Sequence, residues 1–437
     1  MQKNDIISLA ITGYASDGAG VSRHDGLVVF TRGAIAGETI SARILKVSQS
    51  VAHARVESVL TASPERITPE CPAYPRCGGC DFQHMSYAEE LRAKHERVND
   101  ALTRLGDTEI AVPPVVPSPS VTRYRNKAIF EVGSVDGRAV TGFYRAHSHD
   151  IVAADDCPLQ SETAVAAARV LRGWIDAHDI KGIRNLMVRT GSLGAQIVIV
   201  ASRRLRGTDA LVDALRETLP DVKSIVLCTN SDDTNVVLRG EFRTLYGGAE
   251  FADTLCGNEF RLSPQSFYQV NHAQAEQLYA AVRDFAALTE SDTALDLYCG
   301  AGTITLALAA SARTVYGAEI VPEAVVNARE NAARNGVQNA EFLLGDAGDA
   351  AKTLSERGVT PDVVVVDPPR KGLSPETLAI VAETAKRAIV YVSCDPSTFA
   401  RDVKLLRERG WRLAQVRAFD MFPRTSHVEC VGAFARG

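Results

Sequence analysis

Hydrophobic and polar positions change rhythm several times along the chain. Up to about residue 62, short alternating runs such as Gly26-Leu-Val-Val-Phe and Thr39-Ile-Ser-Ala-Arg-Ile are separated by turn residues, among them six glycines. Period-two alternation broken at such intervals predicts a small all-β, OB-like barrel. Residues 63–90 are rich in cysteine and proline and show little periodicity. A helical period then runs from Tyr87 to Leu105 and stops at Gly106. Ala111 to Pro119 holds four prolines in nine residues and reads as a linker or domain edge. From Val121 to about Gly248, β-like segments (Lys127-Ala-Ile-Phe-Glu-Val, Gln196-Ile-Val-Ile-Val, Ser224-Ile-Val-Leu) mix with helical ones, predicting an α+β domain.

From about Thr289 strands and helices alternate strictly. The strands are Thr293-Ala-Leu-Asp-Leu, Thr314-Val-Tyr-Gly-Ala, Ala340-Glu-Phe-Leu-Leu, Asp362-Val-Val-Val-Val and Ala388-Ile-Val-Tyr-Val. Mostly apolar strands separated by helices predict a parallel sheet covered on both faces. In such a doubly wound fold, ligands sit at the carboxyl ends of the strands. The chain therefore reads as a multidomain α/β protein divided at 1–62, 63–255 and 256–437.

Composition narrows the class. With 437 residues, 46% hydrophobic and 23% charged, the chain is globular, and neither disordered nor fibrous. No apolar run approaches about 18 residues, so no membrane span is expected. The start, MQKNDIISLA, lacks the apolar core of a signal peptide, and a cytoplasmic location is expected. The net charge of −5 does not favour a nucleic-acid partner. Nine cysteines in such a compartment point to metal or catalytic thiols before disulfides.

Candidate chemistry gathers at the edge of the C-terminal sheet. The first strand leads into Asp296-Leu-Tyr-Cys-Gly-Ala-Gly-Thr, where Gly300 and Gly302 let a ligand approach the backbone. The next strand ends at Glu319, twenty-three residues after Asp296, where a carboxylate can accept from two ribose hydroxyls. The third and fourth strand regions close at Asp346 and Asp367, the latter followed by Pro368-Pro369. A nicotinamide dinucleotide is the rival ligand, but position 305 is Thr where its fingerprint wants a third glycine. S-adenosylmethionine, which needs no pyrophosphate cradle, fits better.

The fifth strand delivers Ser393-Cys394-Asp395-Pro396 to the same edge, before a helix starting near Ser397. A thiol at a helix N-terminus should be pushed towards thiolate. Alternatively, Cys394 could be a small buried hydrophobe. A methyl donor beside a cysteine suits C5 methylation of a pyrimidine. Thiolate addition at C6 makes C5 nucleophilic, and a base must then remove the C5 proton. The tail Phe422-Pro-Arg-Thr-Ser-His-Val-Glu-Cys-Val reads as the closing strand pair, with His427 and Glu429 sharing a face. Either could be the base.

At this point the chain resembles the S-adenosylmethionine-dependent RNA uracil-C5 methyltransferases that carry an N-terminal TRAM domain and an iron–sulfur cluster. The resemblance spans essentially the whole chain, through Ser63-Pro-Glu-Arg, Cys71-Pro, Cys77-Gly-Gly-Cys80-Asp-Phe-Gln-His-Met, Ser266-Phe-Tyr-Gln-Val-Asn, Asp296-Leu-Tyr-Cys-Gly-Ala-Gly, Asp367-Pro-Pro-Arg-Lys-Gly, Ser393-Cys394-Asp-Pro and His427-Val-Glu429. It implies a TRAM-type barrel, a central domain with cluster cysteines and a Rossmann-like class I methyltransferase domain. It further implies Cys394 as nucleophile, Glu429 rather than His427 as base, and cofactor contacts from Gln269, Tyr298, Glu319, Asp346 and Asp367. Tyr298 stands where phenylalanine is common, Asp346 where asparagine can sit, and Thr303 where asparagine is frequent.

Cys71-x5-Cys77-x2-Cys80 supplies three metal ligands, and Cys157 in Asp155-Asp-Cys-Pro-Leu is the best fourth. Four thiolates suit zinc or a [4Fe–4S] cluster, and the spacing lacks the paired C-x2-C repeats of many zinc sites. The resemblance favours the cluster. Radical S-adenosylmethionine enzymes that modify tRNA are a competitor, but their triad is C-x3-C-x2-C with an open iron. A non-catalytic RNA-binding protein on a methyltransferase fold is a third reading. Cys228, Cys256, Cys299 and Cys430 read as bystanders. RNA contacts must come from local basic groups: Arg123/Arg125/Lys127, Arg203/Arg204/Arg206 and Arg370/Lys371. Residues 361–437 carry twelve Lys/Arg against nine Asp/Glu, whereas 1–62 carry six against five. The expected partner is a uridine in folded RNA, exposed or flipped out of its stack; the resemblance implies 23S rRNA before tRNA.

Overall fold

The computed structural model describes residues 1–232 and 236–437. The N-terminal strands Ile6–Ala10, Gly13–Tyr14, Gly20–His24, Leu27–Arg32, Thr39–Val47 and Val51–Thr61 form one sheet. Its order runs from Ile6–Ala10 at one edge to Gly13–Tyr14 at the other. It is a curled half-barrel where sequence rhythm suggested a barrel. Alternation in Thr39–Val47 buries Ile40, Ala42 and Ile44, which pack on Leu9, Val29 and Ala52.

The central sheet has seven strands: Glu241–Gly247, Val222–Thr229, Gly194–Ala201, Ile183–Gly191, Lys127–Val135, Arg138–Tyr144 and Ile151–Ala153, in that spatial order. Helices Glu162–His178 and Asp209–Thr218 lie on one face, burying Leu171, Trp174, Leu211 and Leu215 against Phe130, Leu186 and Ile197.

The C-terminal sheet runs Ala340–Leu344, Thr314–Glu319, Thr293–Leu297, Val363–Val366, Ala388–Ser393, Glu429–Arg436, Trp411–Phe419. The first five strands are parallel, and Glu429–Arg436 is antiparallel to both of its neighbours. Both faces are covered: Val363, Val365 and Val390 point into one core, Val364, Val366 and Ile389 into the other. The order reverses beside Thr293–Leu297, which opens a crevice at the carboxyl edge.

Three sequence expectations change. Helix Tyr87–Arg104, capped by Ser86, buries Val98, Ala101 and Leu102 in the core of the C-terminal sheet, although it lies in the central stretch of the chain. The proline-rich stretch is not a free linker. Its extended backbone inserts Val112 and Val115 into that same core, and the Val116 amide bonds to the Ala418 carbonyl at 2.8 Å. The tail is not a strand pair: residues 420–428 form a loop, and the last strand starts only at Glu429. His427 therefore precedes the strand and does not share a face with Glu429.

Candidate active site

Strand Thr293–Leu297 ends in a turn in which Tyr298, Gly300 and Gly302 all take positive φ, +66°, +53° and +87°. A side chain on Gly302 would press against Phe342 and Leu306 at 3.1 Å, whereas one on Gly300 would meet nothing. Gly302 is thus needed for packing, and Gly300 leaves the ligand side open. The Gly300 amide donates to Glu319 Oε2 at 3.1 Å, and the Val321 amide to Oε1 at 3.0 Å, so the carboxylate is held at its strand end. Tyr298, Glu319 and Asp346 line one narrow slot with Leu297, Ala318 and Thr377. Asp346 also caps helix Ala347–Glu356 through Oδ1, which accepts from the Asp349 amide at 3.0 Å. Gln269 is buried before helix His272–Ala286 and does not line this slot; its carbonyl accepts from Asn126 Nδ2 at 2.9 Å.

The edge is acidic. Among the described residues, none of Asp296, Glu319, Asp346 and Asp367 makes a salt bridge. Asp296 is fully buried; Thr305 donates to its Oδ2 at 2.6 Å, and Oδ1 has no partner among the described residues. Burial, with repulsion from Asp367 and Glu319, pushes its carboxyl up to about 7, against the hydrogen bonds from Thr305. Burial pushes Asp367 up to about 6. An orphaned carboxylate oxygen beside further unpaired acids fits a cationic ligand, and a sulfonium nucleoside carrying an ammonium group is one.

Cys394 follows strand Ala388–Ser393 directly, and Asp395 caps the next helix, Pro396–Arg407. The antiparallel ladder pairs Ser393 with Cys430. One step beyond that pair, Cys394 stands opposite Glu429. Glu429 is 4% exposed, and burial plus the Asp367 charge pushes it up to about 8, with Arg370 opposing. The expected low thiol value is not found. Burial and the Glu429 charge push Cys394 up to about 11, again with Arg370 opposing. A rise from 9 to about 11 corresponds to about 3 kcal/mol. A helix end offers ~0.3–1 kcal/mol, so desolvation wins. The first helix amides are also already taken, since Asp395 Oδ1 accepts from Ser397 and Thr398 at 2.8 and 3.2 Å.

Cys71, Cys77, Cys80 and Cys157 line one cavity of ≈ 340 Å³ with Tyr74, Gln83 and Arg125. The Gly79 amide donates to Cys77 Sγ at 3.4 Å, and the Gln83 amide group to Cys80 Sγ at 3.6 Å. Among the described residues, no three His, Cys, Asp or Glu side chains converge so as to hold one metal ion. Arg370 and His427 line the same cavity, with Arg370 Nη2 at 3.5 Å from His427 Nε2. Sequence reasoning named Arg370 only in a basic group for RNA contact, not beside the nucleophile. Its place between Cys394, Glu429 and His427 depends on the 420–428 loop folding back, which no local pattern announces. Cys228, Cys299 and Cys430 are buried, and Cys256 is half-buried.

Residues 86–436 match the sequence model of the tRNA (uracil-5-)-methyltransferases. An uncharacterized RNA methyltransferase of Clostridium tetani is 39% identical, covering 99% of this chain and 96% of its own length. One from Halalkalibacterium halodurans is 38% identical, covering 99% and 97%. Among solved structures, the Pyrococcus abyssi tRNA (uracil-54, C5)-methyltransferase in complex with S-adenosyl-L-homocysteine superposes with a TM-score of 0.78 at 28% identity, covering 98% of this chain and 99% of that one. No helix among the described residues is long and apolar enough to cross a membrane. The chain belongs to the tRNA (uracil-5-)-methyltransferase family and is an S-adenosylmethionine-dependent RNA methyltransferase.

Proposed function

We propose that the protein methylates C5 of a uridine in cytoplasmic RNA through a transient Cys394–C6 bond, with Glu429 removing the C5 proton. The observation that carries this reading is the apposition of Cys394 and Glu429 at the acidic carboxyl edge. In the proposed reaction, Cys394 gives up its proton to solvent and its sulfur bonds to C6. The resulting C5 carbanion takes the methyl group as the S–CH3 bond breaks, leaving S-adenosylhomocysteine. Glu429 then accepts the C5 proton, and the returning electron pair expels the thiolate from C6. Arg370 offsets negative charge at both groups. Glu319 would hold the ribose hydroxyls, Tyr298 the adenine face and Asp346 the adenine edge. Gln269, Asp367 and the Gly300–Gly302 backbone would contact the rest of the donor. A sulfonium charge beside Asp367 favours the carboxylate form that a base needs.

Cys71, Cys77, Cys80 and Cys157 would hold a [4Fe–4S] cluster. The four thiols line one cavity, and a cubane would take one thiolate on each of its four irons. Closed by four cysteines, the cluster supplies a cross-link of the 71–86 segment and no radical chemistry. The N-terminal half-barrel is read as a TRAM-type RNA contact. Large-subunit rRNA is the expected substrate from the resemblance to cluster-bearing enzymes.

RNA carrying 5-tritiated uridine tests the reaction. Each methyl transferred should release one tritium to water, and Cys394→Ala should abolish both. Methylation without tritium release overturns the proposal. Mapping 5-methyluridine in rRNA and tRNA from cells lacking the protein decides the substrate: loss of a tRNA site alone rejects rRNA.

A further inference from the structure

The backbone ladder that brings Cys394 and Glu429 together ends at Ser393 and Cys430. Beyond it, the thiol sits on one loop and the lead-in to Glu429 on another, with no backbone pair between them. A side chain from a third element spans this gap. Arg97, on helix Tyr87–Arg104, has a side chain only 14% exposed. It donates through Nη1 to the Ser426 carbonyl at 2.7 Å and through Nη2 to Asp395 Oδ2 at 3.2 Å. Asp395 adjoins Cys394, and Ser426 precedes Glu429 by three residues. One planar guanidinium thus ties both loops.

The two ends of this tie are unequal. Asp395 is already fixed, because its Oδ1 caps the helix with two amide bonds. The 420–428 loop depends on the Tyr87–Arg104 helix at several points. Lys94, one turn before Arg97, donates to Asp420 Oδ1 at 2.5 Å and to the Phe422 carbonyl at 3.2 Å. The Tyr87 hydroxyl donates to Asp420 Oδ2 at 2.8 Å, and Glu90 Oε1 accepts from the Arg424 amide at 2.7 Å. Those contacts hold the front of the loop. At its catalytic end, Ser426 is held by Arg97 and, through its amide, by Asp81 Oδ2 at 2.9 Å. Of these loop contacts, only the Arg97 one is referenced to the loop that bears the nucleophile.

We propose that Arg97 is a positioning residue that sets the separation of Glu429 from the uracil held on Cys394. This inference rests on the reading of those two residues as base and nucleophile. Proton removal tolerates little displacement, since a base must lie within hydrogen-bond reach of the proton it takes. Removing the tie leaves Cys394 beside its capped helix and leaves Ser426 held by its amide bond to Asp81, so the lead-in to Glu429 loosens. Addition and methyl transfer therefore survive, and the step that resolves the adduct slows.

The test uses full-length protein with Arg97→Gln and with Arg97→Lys, which keeps the charge but can reach only one partner. Single-turnover reactions are run on RNA with ordinary uridine and on RNA with 5-fluorouridine. Both variants should trap 5-fluorouridine RNA at rates within about threefold of wild type, with KM for S-adenosylmethionine within about twofold. On ordinary uridine, turnover should fall about 10- to 100-fold, and a denaturant-stable methylated adduct should accumulate. Turnover within about twofold of wild type overturns the inference. So does joint loss of donor binding and trapping in both variants, which marks Arg97 as a folding residue only. If wild-type protein itself forms no adduct, the nucleophile reading falls first and the role of Arg97 with it.

Discussion

Replacing Glu429 by Gln separates the energetic cost of this carboxyl from its chemical use. In the folded chain it titrates at about 8 against an ordinary 4.5, because burial disfavours its anion and Asp367 repels it. An acid raised in this way supports folding fully below its unfolded value, and that support is lost as pH rises through the folded value. At ~1.4 kcal/mol per pH unit, the gap between 4.5 and about 8 sets a ceiling of about 5 kcal/mol on the loss. Asp367 shares the repulsion, so the share of Glu429 alone is smaller. Glutamine keeps the shape and never ionises. Thermal unfolding of ligand-free protein should therefore coincide for wild type and Glu429→Gln near pH 4, and the variant should melt higher near pH 8.5. Turnover should fall in the same variant by about 10²- to 10⁴-fold, with the methylated adduct accumulating on Cys394. A melting difference that does not change between the two pH values refutes the assigned burial cost.

Other outcomes follow from the same geometry. Donor binding should release protons near pH 7, because a cation lowers Asp296, Asp367 and Glu429, which titrate at about 7, 6 and 8; calorimetry in buffers of different ionisation enthalpy should show this, and buffer-independent heat rejects it. Asp296→Asn should weaken S-adenosylmethionine binding about tenfold, about 1.4 kcal/mol, in equilibrium dialysis; an unchanged Kd removes Asp296 from the site. Lys94→Met strands Glu90 and Asp420, both fully buried, and should cost about 3–5 kcal/mol in urea unfolding. Cys80→Ser should reduce bound iron and sulfide per chain and the brown absorption; zinc in place of iron contradicts the cluster reading.

Much of the C-terminal domain could be read from residues alone. Strands such as Asp362-Val-Val-Val-Val are legible because burial on both faces leaves a continuous apolar run, and the helices between them force parallel order. The acids at 296, 319, 346 and 367 could be placed because strand ends share one edge. Three things were not legible. The amphipathic face of Tyr87–Arg104 states that a core exists but not whose, so its union with the C-terminal sheet was hidden. The 420–428 loop is ordered by Asp420, Arg424 and Ser426 bonding to residues more than three hundred positions away, beyond any periodicity. The thiol value was misjudged because a helix end can be seen in sequence, whereas burial beside an acid cannot.

Mass spectrometry of wild-type protein incubated with S-adenosylmethionine and its RNA substrate carrying 5-fluorouridine tests the central claim most directly. Fluorine at C5 cannot leave as a proton, so the reaction should stop as a stable one-to-one RNA–protein species. Nuclease and protease digestion should place the methylated fluorouracil on the peptide containing Cys394. An RNA that is methylated at ordinary uridine yet leaves no mass on Cys394 when fluorinated contradicts the account.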